Sequence, residues 1–561
     1  MSNFYNIENL KDLARVLNIP YKKITYVLYK KGVENQYTSF EIPKSDGSSR
    51  QIKAPEKDLK DIQKGLASIL YDYQTYIWSS QRINNNISHG FQRGKSIITN
   101  AERHRNKRFV LNVDLEDFFD SFHFGRVMGF FKKNKYFKLS EKISMAIAQL
   151  TCYNGSLPQG APTSPVITNL ICNVLDMKII KLAKQYKMNY TRYADDMTFS
   201  TNNKDFLKKK EDFFVELTGI VVKSGLKINE QKTRLIYLDS RQDVTGLVVN
   251  EKINVNKDFY KTTRAMAHSL YTKGKFNIDG APGTIQQLEG RFSFIDQLDK
   301  HNNSKSKEIN KDAKLDFYNL NAREKQYQQF LFYKYFFAND KPLIITEGKT
   351  DVLYIKSALK NLYQDYPKLI NKDHNNFFDL NVSFLKRSKR LRHFLNIKSH
   401  GADTFKNVYN FFSEKHNEKF PNYSEIMQRT GMKPKNPVIL IFDNELTNKN
   451  KPLKNFIKET NINDKEKLIK TLEKQYYAKV ACNLYIVTHQ LVNGEKECEI
   501  EDLFDEDTRS ITIKGQTFNR NDKHAKSNFA EFISNNYMDI NFNNFRYMLN
   551  RINTIIQKYE Y

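Results

Sequence analysis

The stretch Phe109-Val110-Leu111-Asn112-Val113-Asp114, apolar at all but one position before it ends in a carboxylate, restricts this chain more than any other segment. Such a run belongs in a buried sheet, and a carboxylate at its exit is costly to desolvate unless a cation or partner stands beside it. Farther on, Tyr193-Ala194-Asp195-Asp196 interrupts alternating residues between Tyr190 and Ser200, which predicts a tight strand-turn-strand with two more carboxylates at its tip. Neighbouring strand residues point to opposite faces, so Asp195 is expected to lead, and Asp196 to join only where the turn breaks the alternation. Three hard oxygen donors then meet. Two magnesium ions held there would serve in-line phosphoryl transfer.

Charge agrees with that chemistry: 90 Lys and Arg stand against 63 Asp and Glu, a formal +27, which favours a polyanionic partner, nucleic acid first. No apolar run reaches 18 residues and no signal pattern opens the chain, so a soluble, cytoplasmic protein without a membrane partner is expected. Cys152, Cys172, Cys482 and Cys498 form no C-x-x-C pair, which predicts reduced thiols rather than disulfides or zinc ligands. Most of the 40 Phe and 32 Tyr should be core, although rings beside basic groups also suit stacking on unpaired bases.

At 561 residues the chain exceeds one core, and two or three domains are expected. Apolar spacing predicts helices before residue 35, over 59–76, 139–150, 166–186 and, rich in basic residues, 255–300. Thr38 to Ile42 and Arg50 to Lys53 read as a hairpin around Asp46-Gly47, Asn84-Asn85-Asn86 as an irregular stretch, and His301 to Lys314 as a polar linker. Leu343 to Thr346 and Val438 to Phe442 are wholly apolar and end in acidic residues, with helices predicted at 350–362 and 402–413; this is the pattern of a parallel α/β sheet. Glu347 would leave the carboxyl end of that sheet at the turn made by Gly348, and the spacing of Asp443 and Glu445 puts both on one face, so these three acids could share a metal.

Tyr-Ala-Asp-Asp behind a strand ending in Asp114 resembles the palm of reverse transcriptases, and Leu157-Pro158-Gln159-Gly160-Ala161-Pro162-Thr163-Ser164-Pro165 is similar to that family's motif for template and incoming nucleotide. Asn100-Ala101-Glu102-Arg103-His104 and Val244-Thr245-Gly246 resemble marks of retron reverse transcriptases more than of group II intron or viral enzymes. The resemblance implies a right-hand α+β polymerase, with fingers and palm over 1–240 and a helical thumb and RNA-recognition region over 241–325. It further implies metal binding by Asp114, Asp195 and Asp196, a steric gate at Phe119, and deoxynucleoside triphosphate contacts at Arg50, Lys53, Gln159, Gly160 and Lys232. Asn100, His104, Val244, Thr245 and Gly246 would contact RNA. Read from the residues alone, Asn100 and His104 are equally a local polar pair, and Arg50 and Lys53 solvated hairpin charges. The implied partners are a structured non-coding RNA, which supplies a 2′-hydroxyl primer and part of which is copied, and the resulting branched, RNA-linked single-stranded DNA.

Ile345-Thr346-Glu347-Gly348 and Asp443-Asn444-Glu445 resemble the TOPRIM fold, with Glu445 one methylene longer than the usual Asp, and Glu499-Ile500-Glu501-Asp502 looks like the acidic segment farther along TOPRIM nucleases. An α/β TOPRIM-like effector over 326–561 is the implied second domain, with one or two magnesium ions held by Glu347, Asp443, Glu445, Glu501 and Asp502. The alternative is a noncatalytic TOPRIM-like module that binds nucleic acid and regulates. Family analogy adds a role in antiphage defence and allows a homo-oligomer.

Overall fold

Burial alternates along the strand Phe109–Glu116, with Asn112, Asp114 and Glu116 on the less buried face. The computed structural model describes residues 4, 7–43, 47–81, 86–309, 317–398, 403–413, 420–447, 451–492 and 494–559. Asp46, Asn84, Asn85 and the 310–314 part of the expected linker lie outside them. The chain divides into two compact units, Met1–Lys257 and Asp258–Tyr561.

In the first unit a hairpin, β1 (Tyr37–Pro43) and β2 (Ser49–Pro55), precedes the long helix α1 (Lys57–Ser80). The strand β3 (Phe109–Glu116) lies inside a four-stranded antiparallel sheet ordered β4-β5-β3-β6, where β4 is Asn189–Tyr193, β5 is Asp196–Thr201 and β6 is Lys227–Tyr237. Helix α2 (Ser164–Gln185) presents Ile167, Ile171, Leu175 and Ile179 to the same core as Leu111, Val113 and Phe199, so one sheet face is buried and the other is free to carry polar groups. A two-residue hairpin, β7 (Asp243–Val244) and β8 (Leu247–Val248), closes the unit.

The second unit begins with α3 (Lys257–Lys273), a short hairpin at Asn277–Ile278 and Ala281–Pro282, and α4 (Ile285–Ile309). The linker reading of 301–314 is therefore corrected over 301–309, which continue α4. These helices share one core with α5 (Ala322–Phe332): Phe292 stacks on Tyr327 at 5.4 Å and on Phe330 at 5.0 Å. The sheet that follows holds parallel β9 (Leu343–Thr346), β12 (Ser383–Phe384), β13 (Val438–Phe442) and β15 (Leu484–Thr488), with antiparallel β14 (Tyr477–Ala481) at one edge; its order is β12-β9-β13-β15-β14. A separate hairpin joins β10 (Ile370–Lys372) and β11 (Phe378–Leu380). Leu343, Ile345, Leu440 and Phe442 enter one core while Ile344, Ile439 and Ile441 enter another. Helices cover both faces, which is why these strands are apolar at every position. Among the described residues, no helix is long and apolar enough to cross a membrane.

Candidate functional site

Antiparallel register sets Asp114 directly opposite Asp196, and the amide of Leu115 donates to the carbonyl of Asp195 at 3.2 Å. Tyr193 pairs with Asp196, so Ala194 and Asp195 form a two-residue turn, and Ala194 takes a left-handed φ of +58°. A left-handed non-glycine residue is strained, and its surroundings must hold it. The turn breaks the alternation, which brings both Asp195 and Asp196 to Asp114.

Three devices hold that turn, and sequence reasoning missed all of them. Arg192 is fully buried and bidentate to Asp176, with both contacts at 2.8 Å, while its Nη1 donates to the Ala194 carbonyl at 3.0 Å. Asn169 accepts from Arg192 Nη2 at 3.2 Å and donates to the Gly90 carbonyl at 2.8 Å. A Cβ on Gly90 would stand 2.5 Å from the Ala194 amide nitrogen, so glycine is the only residue that fits there. Gly90→Ala should therefore shift the turn. Displacements near 1 Å cost about a hundredfold in rate, so primer extension should fall by that order while the denaturant midpoint falls modestly.

Crowding sets the electrostatics. Burial, opposed by a backbone hydrogen bond and reinforced by Asp114, raises the Asp195 carboxyl, and the Arg50 guanidinium and Lys232 offset part of the rise. Asp196 is pushed up to about 7 by desolvation and then by Asp195 and Asp114, although water reaches its outer edge. β6 bulges between Asn229 and Arg234, and the bulge returns Lys232 Nζ to 3.4 Å from Asp114. Repelling hard oxygen donors suit a divalent cation. Among the described residues no group of three or more His, Cys, Asp or Glu stands ready as a metal cage. Magnesium does not need one, because it is commonly bound through one or two carboxylates, waters and substrate phosphates. Asp114 and Asp195 fit that role.

Of the residues expected to contact the nucleotide, those of the β1–β2 hairpin and Gln159-Gly160 meet one another. The Lys53 amide donates to the Gln159 carbonyl at 2.8 Å, and a Cβ on Gly160, φ +123°, would stand 2.8 Å from Ile52 Cγ2 and the Lys53 carbonyl. The β1–β2 hairpin is thus seated on Gln159-Gly160. Lys53 Nζ lies 5.3 Å over the ring of Tyr153, whereas Arg50 is exposed and its charge reaches Asp195. Phe119 is half-buried edge-on to Phe118 at 5.4 Å.

The reverse transcriptase (RNA-dependent DNA polymerase) family matches residues 42–274, the span that holds all of these side chains. Over 294 residues the chain is 33% identical to the Retron Ec86 reverse transcriptase of Escherichia coli, covering 52% of this chain and 85% of that protein. The chain belongs to the retron reverse transcriptase family. It is also 32% identical over 326 residues to the Retron Mx162 reverse transcriptase of Myxococcus xanthus, covering 52% of this chain and 64% of that one. Among solved structures, apo telomerase from Candida Tropicalis is similar over 54% of this chain and 61% of that one, at 14% identity and a TM-score of 0.32.

In this retron reverse transcriptase the Asn-Ala-x-x-His residues are internal. His104 Nδ1 meets Ser200 Oγ at 2.8 Å and Nε2 meets Thr191 Oγ1 at 2.7 Å, while Thr191 donates to Asn100 Oδ1 at 2.6 Å. Both side chains are fully buried, and burial lowers His104 to about 3, which keeps it neutral. This corrects the expected RNA contact: a solvent-excluded pair cannot touch RNA, and it instead staples the preceding helix to the β4–β5 hairpin. Val244 is likewise buried. Thr245 and Gly246 form the β7–β8 turn with φ +48° and +81°, and they border a cavity of about 380 Å³ with Asp114, Asp196, Lys232 and Arg234.

The acids of the second unit converge only in part. Glu347 and Asp443 follow neighbouring parallel strands, and the Asp443 amide donates to Glu347 Oε1 at 3.3 Å. Burial first, then Asp443 and Asp351, raises Glu347 well above the carboxylate range. Asp351, absent from the sequence reading, caps the helix α6 (Lys349–Asn361) by accepting from the Gly348 amide at 2.7 Å, and burial and Asp443 raise it too. Parallel pairing ends at Phe442, but Asn444 bridges Cys498 between the two acids, and Glu445 is raised by burial, opposed by Lys451 at 2.6 Å and reinforced by Asp443. Glu501 is buried, 3.1 Å from Lys526, and pushed up to about 7 by burial despite that lysine. Asp502 is corrected as a ligand: it caps the Glu499 amide at 2.9 Å and pairs with Arg509 and Arg520. His489, just past β15, brings Nε2 to 3.4 Å from Asp443 Oδ1. Its signal was the apolar run 484–488, which reads as a third parallel strand. The hydroxyl of Tyr354, close enough to Glu501 and Asp351 to feel both charges, is buried without a hydrogen-bond partner among the described residues. Glu347, Asp351, Asp443 and Glu501 are hard oxygen donors of the type a divalent cation takes, although among the described residues no three of them are gathered into a metal cage.

Proposed function

We propose that this chain is an RNA-directed DNA polymerase that copies part of its own structured non-coding RNA from a 2′-hydroxyl primer, leaving branched, RNA-linked single-stranded DNA. The observation that carries this is the register that sets Asp114 opposite Asp196, with Asp195 at the turn and Lys232 at 3.4 Å. Magnesium held by Asp114 and Asp195 would activate the primer hydroxyl and offset charge on the leaving pyrophosphate. Arg50 is the cation for the triphosphate, Phe119 the floor beneath the sugar, and Gln159-Gly160 the seat that keeps the fingers hairpin against the palm. The Thr245-Gly246 turn faces the growing end. Nucleic acid copurified with the chain tests the reading, since it should contain DNA joined to RNA by a 2′-5′ linkage; bare protein or an unlinked DNA would overturn it.

The second unit we read as a TOPRIM-like, metal-dependent nuclease that acts in antiphage defence, with Glu347, Asp351, Asp443 and Glu501 as its ligand set. What supports this is the placing of Glu347 and Asp443 at adjacent parallel strand ends, where α/β sheets bind ligands, with Glu347 raised by burial and then by Asp443. The noncatalytic alternative draws on the engagement of Glu445 by Lys451 and of Asp502 by two arginines. Glu347→Gln and Asp443→Asn separate the two. Nuclease activity and cell toxicity should fall about a hundredfold or more with primer extension intact, whereas cleavage at wild-type rate in both variants would leave the regulatory module.

A further inference from the structure

A surface of the second unit outside both acid clusters interleaves aromatic rings with lysines. Lys356 and Lys360 lie one helical turn apart on α6 and so share a face. Lys356 Nζ is 5.2 Å from the ring centre of Phe384 on β12, and Lys360 Nζ is 5.3 Å from that of Tyr537. Past the end of α6, Lys372 Nζ stands 5.4 Å from both Tyr363 and Phe378. Phe378 meets Tyr363 edge-on at 5.6 Å and Tyr537 at 6.2 Å, so the rings run on from one another. The Asn361 side chain donates to the Tyr537 carbonyl at 2.9 Å and fixes that segment against the helix. The chain neighbours of Phe378 and Tyr537 are exposed too, Phe377 to 72% and Met538 to 70%.

Phe377 stands clear of the core, whereas Tyr363, Phe378, Phe384 and Tyr537 pack partly against it and leave the rest of each ring at the surface. The acids nearby are already engaged: Asp379 pairs with Lys341 at 3.2 Å, Asp365 with Arg546 at 2.7 Å, and Asp373 accepts from the Phe377 amide at 2.7 Å. Among the described residues, none of Lys356, Lys360 and Lys372 forms an ion pair with a carboxylate; each lies over a ring instead. The surface therefore offers π-faces and uncompensated positive charge side by side.

We propose that this row binds an unpaired stretch of nucleic acid, with bases stacking on Phe377, Phe378 and Tyr537 and phosphates held by Lys360 and Lys372. Every base has a face to stack and every link a charge to neutralise, so the pairing needs no sequence code. A duplex hides its base faces and is excluded; an apolar peptide would leave the lysines without counter-charge. Nothing in this depends on the metal chemistry of the second unit.

The palm also engages nucleic acid, so the test must read position rather than total affinity. The full chain is photo-cross-linked to oligothymidylate and oligouridylate carrying 5-iodouracil, and the adducts are mapped by mass spectrometry. Adducts are expected on the peptides holding Phe377-Phe378 and Tyr537, displaced by unlabelled single strand and not by duplex; whichever oligonucleotide labels them names DNA or RNA. Phe377→Ala should lower the Phe378 adduct about five- to hundredfold at limiting oligonucleotide. Lys372→Gln should flatten its log-log salt dependence by about 0.7. Primer extension should stay at wild-type rate in both variants, an unchanged thermal midpoint and circular dichroism spectrum report that the second unit stays folded, and Glu347→Gln should give the same adducts. Labelling confined to the palm, adducts at Phe378 indifferent to both substitutions, or equal competition by duplex would overturn the proposal.

Discussion

Asp114→Asn and Asp195→Asn should each lower RNA-templated synthesis by about a thousandfold or more in a primer-extension assay at saturating magnesium. The same changes should not weaken the fold. Burial and neighbouring carboxylates, Asp114 among them, hold Asp195 and Asp196 against their ordinary ionisation, and each change removes one charge from that group, so the thermal midpoint in EDTA should hold or rise. Loss of rate together with loss of fold would mean that the carboxylates serve structure. The companion Asp196→Asn reads the repulsion directly. A carboxyl at about 7 in the folded chain and near 3.8 when unfolded retains its proton on folding. Its contribution therefore falls as pH rises from about 4 to 7. Metal-free wild type should lose stability across that window, and Asp196→Asn should lose less.

Asp176→Ala should be the most destabilising single change in the palm. It strands the Arg192 guanidinium, which is wholly buried and held by two 2.8 Å contacts to that carboxylate. Breaking such a pair from one side costs about 3–5 kcal/mol, because the remaining charge has neither a counter-charge nor water. Tyr190, whose hydroxyl donates to Asp176 at 2.9 Å, loses its acceptor as well. The denaturant midpoint should fall accordingly. The double change Asp176→Leu with Arg192→Met separates stability from function: it removes both charges and should recover most of the midpoint. It cannot restore the donor to the Ala194 carbonyl. Extension by the double variant should stay well below wild type; full activity would show that the strained turn needs no such anchor.

The palm was readable in the sequence because its signals are local. An apolar strand with a terminal Asp and a two-residue turn between alternating residues each specify their own geometry over a few positions, and β3, β4 and β5 formed where that pattern predicted. The parallel sheet was readable for the same reason, since strands covered on both faces can have no polar side. His104 shows the limit: helical spacing gave it a neighbour in Asn100, but whether the pair faced RNA or the interior depended on Thr191 and Ser200, some ninety residues away.

What the amino-acid order determined unaided is the kind of chemistry and the family, for both rest on short runs whose residue types dictate strand, turn and donor set. Which acids act together was decided only in three dimensions. Glu501 turned inward and Asp502 outward to two arginines; Glu445 met a lysine; Asp351 joined Glu347 although no motif marked it. A carboxylate's protonation and its capacity to hold a cation are set by charges and solvent within a few ångströms, and strand register and helix packing choose those neighbours from across the chain.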